Sequence, residues 1–250
     1  MMKETFTSKV NRSLNLDYAD RNKIWLSNQS TLRKLVGILG MLLPVLLFTF
    51  LLIDTNHTSP LQSISHYYFT RANSVFVIVV SLLAIFLLIY KGKETVDFYI
   101  SSLAGIFALC LTLFPTSNIS SVCCDVERAY SITIMKESEF RIAFHYLSAG
   151  IFLSCLAYMS AFLFTKSDKR VEERSKEKKF RNKIFRSCAV IMVLALLVIG
   201  AGFLEIIPKD IYEGNQITFW METIAVESFG FSWLIKGESF FRDKAPISTA

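Results

Sequence analysis

The chain has 250 residues, of which 52% are hydrophobic and 19% charged, with 22 Phe and a mean hydropathy of +0.43. That length holds one ordinary domain or one small helical bundle, and this composition excludes a soluble domain, whose charges spread over its whole surface. The net charge of +6 is accounted for by one stretch, 166–186, bounded by Lys166 and Arg186, which holds ten Lys/Arg against four Asp/Glu; this reads as a topology signal, not as a nucleic-acid groove.

The first segment, 1–34, is polar and of mixed charge. The first apolar run begins only at Leu35 and is followed by no small-residue cleavage site, so it is expected to stay as a membrane helix and not as a cleaved signal. Leu14, Leu16, Ile24, Trp25 and Leu32 allow a short interfacial helix over 14–34, with an irregular segment as the alternative.

A helix needs about 20 apolar residues to cross the hydrocarbon. Six runs qualify, 35–53, 74–90, 98–115, 142–164, 187–207 and 217–235, and the first three carry no Asp, Glu, Lys, Arg or His. In lipid the backbone must satisfy itself, so the expected fold class is all-α: a polytopic bundle of six transmembrane helices over 35–238. Pro44 should kink the first helix, while Pro115 and Pro208 end the third and fifth. Small residues mark close helix approaches at Ser101/Gly105, Ala104/Ala108, Gly150/Ser154, Ala157/Ala161 and Gly200–Gly202.

Orientation follows from the basic residues. With the N-terminus inside, the inner segments hold 22 Lys/Arg and the outer ones the remaining five, Arg71, Arg128, Lys136, Arg141 and Lys209. Both ends, including the tail 239–250, are then cytoplasmic, and a bacterial plasma membrane is the expected location. Membrane lipids are the expected partners, with anionic headgroups touching 166–186 and setting orientation as the plainer role of that loop. A homo-oligomer is left open.

Four ionisable residues fall inside the runs: His145, Glu205, Glu222 and Glu227. Burial in hydrocarbon makes such groups costly unless paired or solvated. On this topology all four lie in the outer half, with Glu222 about 7 Å down and Glu227 about 15 Å. The loop above them carries Ser63, Ser65, His66, Tyr67, Tyr68 and Arg71, and Ser148 follows His145 at i+3. Two readings stand side by side. One is a structural knot in which Arg71 pairs with Glu222 or Glu205 and His145 bonds a serine. The other is an outward polar pocket built from Ser65, His66, Tyr68, Arg71, His145, Ser148, Glu205 and Glu222. Glu222 and Glu227 are roughly 140° apart around their helix, so they should face different neighbours.

No metal or cofactor is expected, with a site from His66, His145 and Glu222 as the minor alternative: the histidines are His57, His66 and His145, none has a partner at i+3 or i+4, and there is no Cys-x-x-Cys. Cys110, Cys155 and Cys188 should pack as small apolar residues. Cys123 and Cys124 are adjacent, and both intersubunit pairing and free thiols are open. Soluble-enzyme signatures are missing from the chain, so any activity should reside in the bundle.

Several stretches together resemble bacterial six-span proteins grouped as domain of unknown function 998. They are Ser63-Ile-Ser-His-Tyr-Tyr-Phe-Thr-Arg71, Leu103-Ala-Gly-Ile-Phe-Ala-Leu109 with Phe114-Pro115-Thr116, His145-Tyr-Leu-Ser-Ala149, Phe164-Thr-Lys166, and Phe219-Trp-Met-Glu222 with Phe229-Gly-Phe-Ser-Trp-Leu-Ile-Lys-Gly237. The resemblance covers about residues 35 to 238; it implies the six-span architecture and no activity. The remoter pattern of alkaline ceramidases and adiponectin-type receptors is not met. Phe69 stands where a histidine should follow Ser65, Asp97 falls on the inner side, and the last run has no histidine.

Three functions fit this reading. The first is a membrane protein whose outer pocket binds or senses a lipid or small molecule. The second is an intramembrane hydrolase or lipid-modifying enzyme with His145 as acid/base alongside Glu222 or Glu227. The third is a proton- or cation-coupled carrier or channel using the same carboxylates, ranked last because only Glu227 reaches the midplane.

Overall fold

A computed structural model describes residues 29–55, 58–119, 131–168, 170 and 172–237. The expectations for the segment before Gln29, for His57, Cys123, Cys124 and Arg128, and for the tail 239–250 lie outside the described residues.

The described chain is all-α apart from one isolated bridge between Thr70 and Ser131. Its helices are α1 (Gln29–Thr55), a 3-10 turn (Ile64–Phe69), α2 (Asn73–Ile89), α3 (Thr95–Leu113), α4 (Glu139–Tyr158), α5 (Lys176–Phe203), α6 (Lys209–Gly214) and α7 (Ile217–Lys236). A π turn, Met159–Leu163, continues α4. By length and composition four segments could cross a membrane: α1, α3, α4 with its π turn, and α5. α2 is a shorter apolar helix.

The ends of these helices are set by local chemistry. Ser138 and Ser175 accept backbone N–H groups as N-caps of α4 and α5. Glu94 and Asp97 form a capping box at the start of α3. α3 ends at Leu113, just before Pro115. Pro44 is accommodated, buried, inside α1.

The long helices pack in chain order, α1 on α2, α2 on α3, α3 on α4 and α4 on α5; α7 then closes the ring by packing on both α5 and α1. Successive helices run antiparallel, as the contacts of Arg33 and Ser101 with Tyr90, His145 with Phe114 and Ser160 with Phe185 show. The start of α1 therefore meets the end of α7, where the Ser30 hydroxyl donates to the Gly237 carbonyl at 2.7 Å. This is the basic end of the bundle. The opposite end is capped by the loop over 58–72, the segment after α3 and α6.

The interior is filled by large apolar side chains, among them Leu47, Phe76, Leu87, Met192 and Phe229. Trp233 is fully buried and packs edge-on against Tyr90, Phe164 and Phe229. Large apolar residues also cover the outside: Val45, Ile78, Ile106, Leu147 and Leu197 are all more than half exposed, and they lie on five different helices. A belt of this kind is a lipid-facing surface. The chain thus has the character of a membrane protein with several apolar helices.

Close approach falls partly where small residues were expected. A Cβ on Gly105 would meet the Ala84 carbonyl of α2 at 2.8 Å. A Cβ on Gly202 would run into the Tyr212 ring, and one further backbone approach was not expected: a Cβ on Gly37 of α1 would lie 2.7 Å from the Gly230 carbonyl of α7. Gly150 and Gly200 have nothing within contact distance. Gly150 and Ser154 instead line an open groove with Ile100, Tyr146 and Leu147.

Candidate functional site

The capped end collects most of the expected polar residues. Ser63 starts the 3-10 turn as its N-cap, accepting the His66 N–H, and its Oγ lies 2.8 Å from His66 Nδ1. Burial, with His145 nearby, pushes the His66 imidazole down to about 4 against the opposing pull of Glu137, so it is neutral at physiological pH. The Ser63–His66 contact is the local i,i+3 cap of a turn, and Ser63 itself is buried; proximity alone does not make it a nucleophile.

Two donors from α4 close the end of α3. His145 is buried, and its Nδ1 is 2.8 Å from the Phe114 carbonyl. A carbonyl only accepts, so Nδ1 carries the proton, which in a neutral ring leaves Nε2 as an acceptor. Arg141 is buried as well, and its Nη1 donates to the carbonyls of Pro115 at 2.9 Å and Thr116 at 2.8 Å. Three consecutive carbonyls after α3 are thereby satisfied by side chains, at the helix end where the dipole favours positive charge.

The acceptor comes from α7. Glu222 Oε2 takes the backbone N–H of Ile64 at 2.7 Å, while the Phe219 N–H donates to the Gln62 carbonyl at 3.0 Å. These reciprocal bonds fix the 3-10 turn to the first turns of α7. Beside them the Thr218 hydroxyl donates to the Tyr212 hydroxyl at 3.0 Å, and Tyr212 senses both Glu222 and Tyr146.

Other expected members stand apart. Arg71 is exposed and pairs with Asp54 at 3.2 Å, not with Glu222 or Glu205. Both of those residues flank the first connection, so the pairing is local. Glu205 is exposed beyond the end of α5, in a left-handed backbone conformation (φ 55°), outside the cluster. His145 bonds a backbone carbonyl instead of a serine, and Ser148 is buried with its hydroxyl on the Phe144 carbonyl. Ser65 is buried; Tyr68 is half-buried and packs edge-on against Phe69 and Phe76.

Glu227 lies elsewhere. It lines an outward groove of about 510 Å³ over α7, with Met41 of α1 and Lys183, Ser187 and Ile191 of α5. Glu222 and Glu227 do face different neighbours.

The sequence reading missed Arg141 as a latch and Asp97 as a buried group. Arg141 was counted only as an outer charge; its signal was its place one turn before His145. No group of three or more His, Cys, Asp or Glu among the described residues is placed to hold a metal ion. No family model, curated protein or solved structure matches the chain.

Proposed function

We propose that the protein is a six-span plasma-membrane protein of the architecture its resemblance implies, with both termini cytoplasmic, and that its capped outer end binds or senses a donor-bearing ligand. The ligand class follows from which atoms remain free. Glu222 uses Oε2 on Ile64 and leaves Oε1; His145 uses Nδ1 and leaves the acceptor Nε2. Acceptors without donors favour an ammonium or a hydroxyl-rich headgroup. In this reading α2 and α7 also cross, since they complete the ring formed with the four longer apolar helices.

The observation that carries the reading is that Glu222 and His145 are both held by backbone groups of the cap and not by each other. Each side chain is oriented while keeping one atom unused, as a preorganised site requires. Two experiments test it. Reporter tags at 60 and 120 should label from outside, and tags at 93, 172 and 245 only from inside; outside labelling at 172 overturns the topology. Purified protein is then melted with ethanolamine, choline and inositol. A shift abolished by Glu222→Gln in a folded protein supports binding. No shift with any of them, together with a destabilised Glu222→Gln, reduces the cluster to a structural latch.

A further inference from the structure

Glu227 belongs to neither polar end of the bundle. It sits in the middle of α7, half-buried, on the groove of about 510 Å³ that α7 forms with α1 and α5. Its level is fixed by the basic end, where Lys178 of α5 and Lys236 of α7 both donate to the Phe164 carbonyl, at 3.2 Å and 3.3 Å. Nine residues along each helix from these lysines stand Ser187 and Glu227. Both are therefore about 13 Å further into the bundle.

The groove around Glu227 is largely apolar. Phe180, Ile184 and Ile191 make one stripe along α5, Phe231 adds an aromatic ring one turn along α7, and Met41 contributes from α1. The polar groups beside Glu227 in the groove are the Ser187 and Ser228 hydroxyls and the Lys183 ammonium. None of them bonds it: among the described residues Glu227 has no hydrogen bond and no ion pair. Lys183 is exposed and one turn nearer the basic end, where its long stem carries the charge toward the aqueous edge. A carboxylate in a lipid-facing groove is costly unless a partner arrives from outside the chain.

The walls decide the chemistry of that partner. A hard metal cation needs several oxygen ligands, and one carboxylate with two hydroxyls does not supply them. A phospholipid ammonium is kept at the interface by its own phosphate, away from this depth. A cation carried within an apolar body satisfies both the carboxylate and the walls, and the rings of Phe180 and Phe231 favour it further. We infer that the groove between α1, α5 and α7 binds a lipophilic organic cation, with Glu227 as its counter-charge. This site uses neither Glu222 nor His145, so it is independent of the outer end.

The test uses the full chain in neutral detergent at constant ionic strength. Equilibrium dialysis measures binding of tetraphenylphosphonium and of tetraphenylborate, which match in shape and differ in the sign of their charge. Wild type should bind the cation to saturation and the anion without saturation. Glu227→Gln, which breaks no bond within the described chain, should weaken cation binding about tenfold. Glu227→Asp should keep part of it, and Glu139→Gln, which removes an exposed carboxylate of α4, should leave it unchanged. Ile191→Trp should fill the groove and lower binding with no change of charge. If Glu227→Gln fails to fold, Ile191→Trp carries the test, and wild-type binding in that variant overturns the proposal. Equal binding of the two ions, or equal cation binding by wild type and Glu227→Gln, also overturns it and leaves the groove to acyl chains. Absence of saturable cation binding overturns it too; a dimer in native mass spectrometry that Glu227→Gln dissolves would then assign the groove to a second copy. Failure of ethanolamine, choline and inositol to shift melting bears on the outer end alone.

Discussion

Glu222 Oε2 and the backbone N–H of Ile64 meet at 2.7 Å although 158 positions separate them in the chain. A hydrogen bond contributes about 0.5–1.5 kcal/mol net, and leaving a buried N–H without an acceptor costs about 1–3 kcal/mol. Glu222→Gln keeps an acceptor and should cost under about 1 kcal/mol, while Glu222→Ala removes it and should cost about 2 kcal/mol. Glu227→Ala breaks no such bond and should be close to neutral. Unfolding of the three variants in mixed micelles gives the order; equal losses for Gln and Ala would show that the Ile64 bond adds nothing.

His66 makes the capped end sensitive to pH. Its folded value of about 4 lies below the ordinary 6.5 because burial, with His145 beside it, disfavours the imidazolium. Between those values the unfolded chain binds a proton that the folded chain refuses. Stability is therefore fully present above 6.5 and is lost as pH falls toward 4. The loss should be on the order of 2 kcal/mol by about pH 5. Melting curves from about pH 7.5 to 5 should fall for wild type and flatten for His66→Gln; parallel slopes would assign the pH dependence to other groups.

The helices were legible because hydrophobic length and proline position are local properties of the sequence. Leu35 to Ile53 reads as a span whatever it packs against, and Pro115 ends α3 through its own steric demands. The membership of Glu222 and His145 in one polar end was legible for a related reason: their depths follow from counting residues along each run. Partners were not legible. Arg71 has two carboxylates in reach on paper, Glu222 and Glu205, and only the fold shows that its partner is Asp54. The atoms that satisfy Glu222 and His145 are backbone groups, which every residue carries and which leave no mark in composition. The Gly37–Gly230 crossing was hidden because each glycine stands in a different run, with no spacing to link them.

That crossing makes a sharp prediction. A Cβ on Gly230 would lie 2.7 Å from the Gly37 carbonyl and 2.9 Å from the Met41 backbone nitrogen. Backbone cannot step aside as a flexible side chain can, so α1 and α7 must separate. Gly230→Ala should cost about 1–3 kcal/mol as an overpacking change. Gly150→Ala, where nothing lies within 4 Å, should be neutral or slightly stabilising through helix propensity. If the two substitutions melt alike, the close approach of α1 and α7 is wrong.

At the basic end two ion pairs within 0.1 Å of each other in length separate burial from contact. Lys166 meets Asp97 at 2.7 Å with the Asp97 side chain only 3% exposed, and Lys93 meets Asp168 at 2.8 Å with both partners largely in solvent. Distance alone would rank them equal. Asp97 also caps α3 through the Lys93 and Glu94 N–H groups, so its carboxylate cannot turn outward when Lys166 is lost. Truncating one partner of a buried pair strands the other charge, whereas an exposed pair exchanges its partner for water. Lys166 keeps contact with Glu94 and is itself partly solvated, which tempers the effect. Lys166→Met should therefore cost about 2–3 kcal/mol, and Asp97→Asn, which retains one capping acceptor, should cost less. Lys93→Met and Asp168→Asn should fall within experimental error and vanish in high salt. A double-mutant cycle on each pair checks this, and coupling as large between Lys93 and Asp168 as between Lys166 and Asp97 would remove burial as the deciding factor.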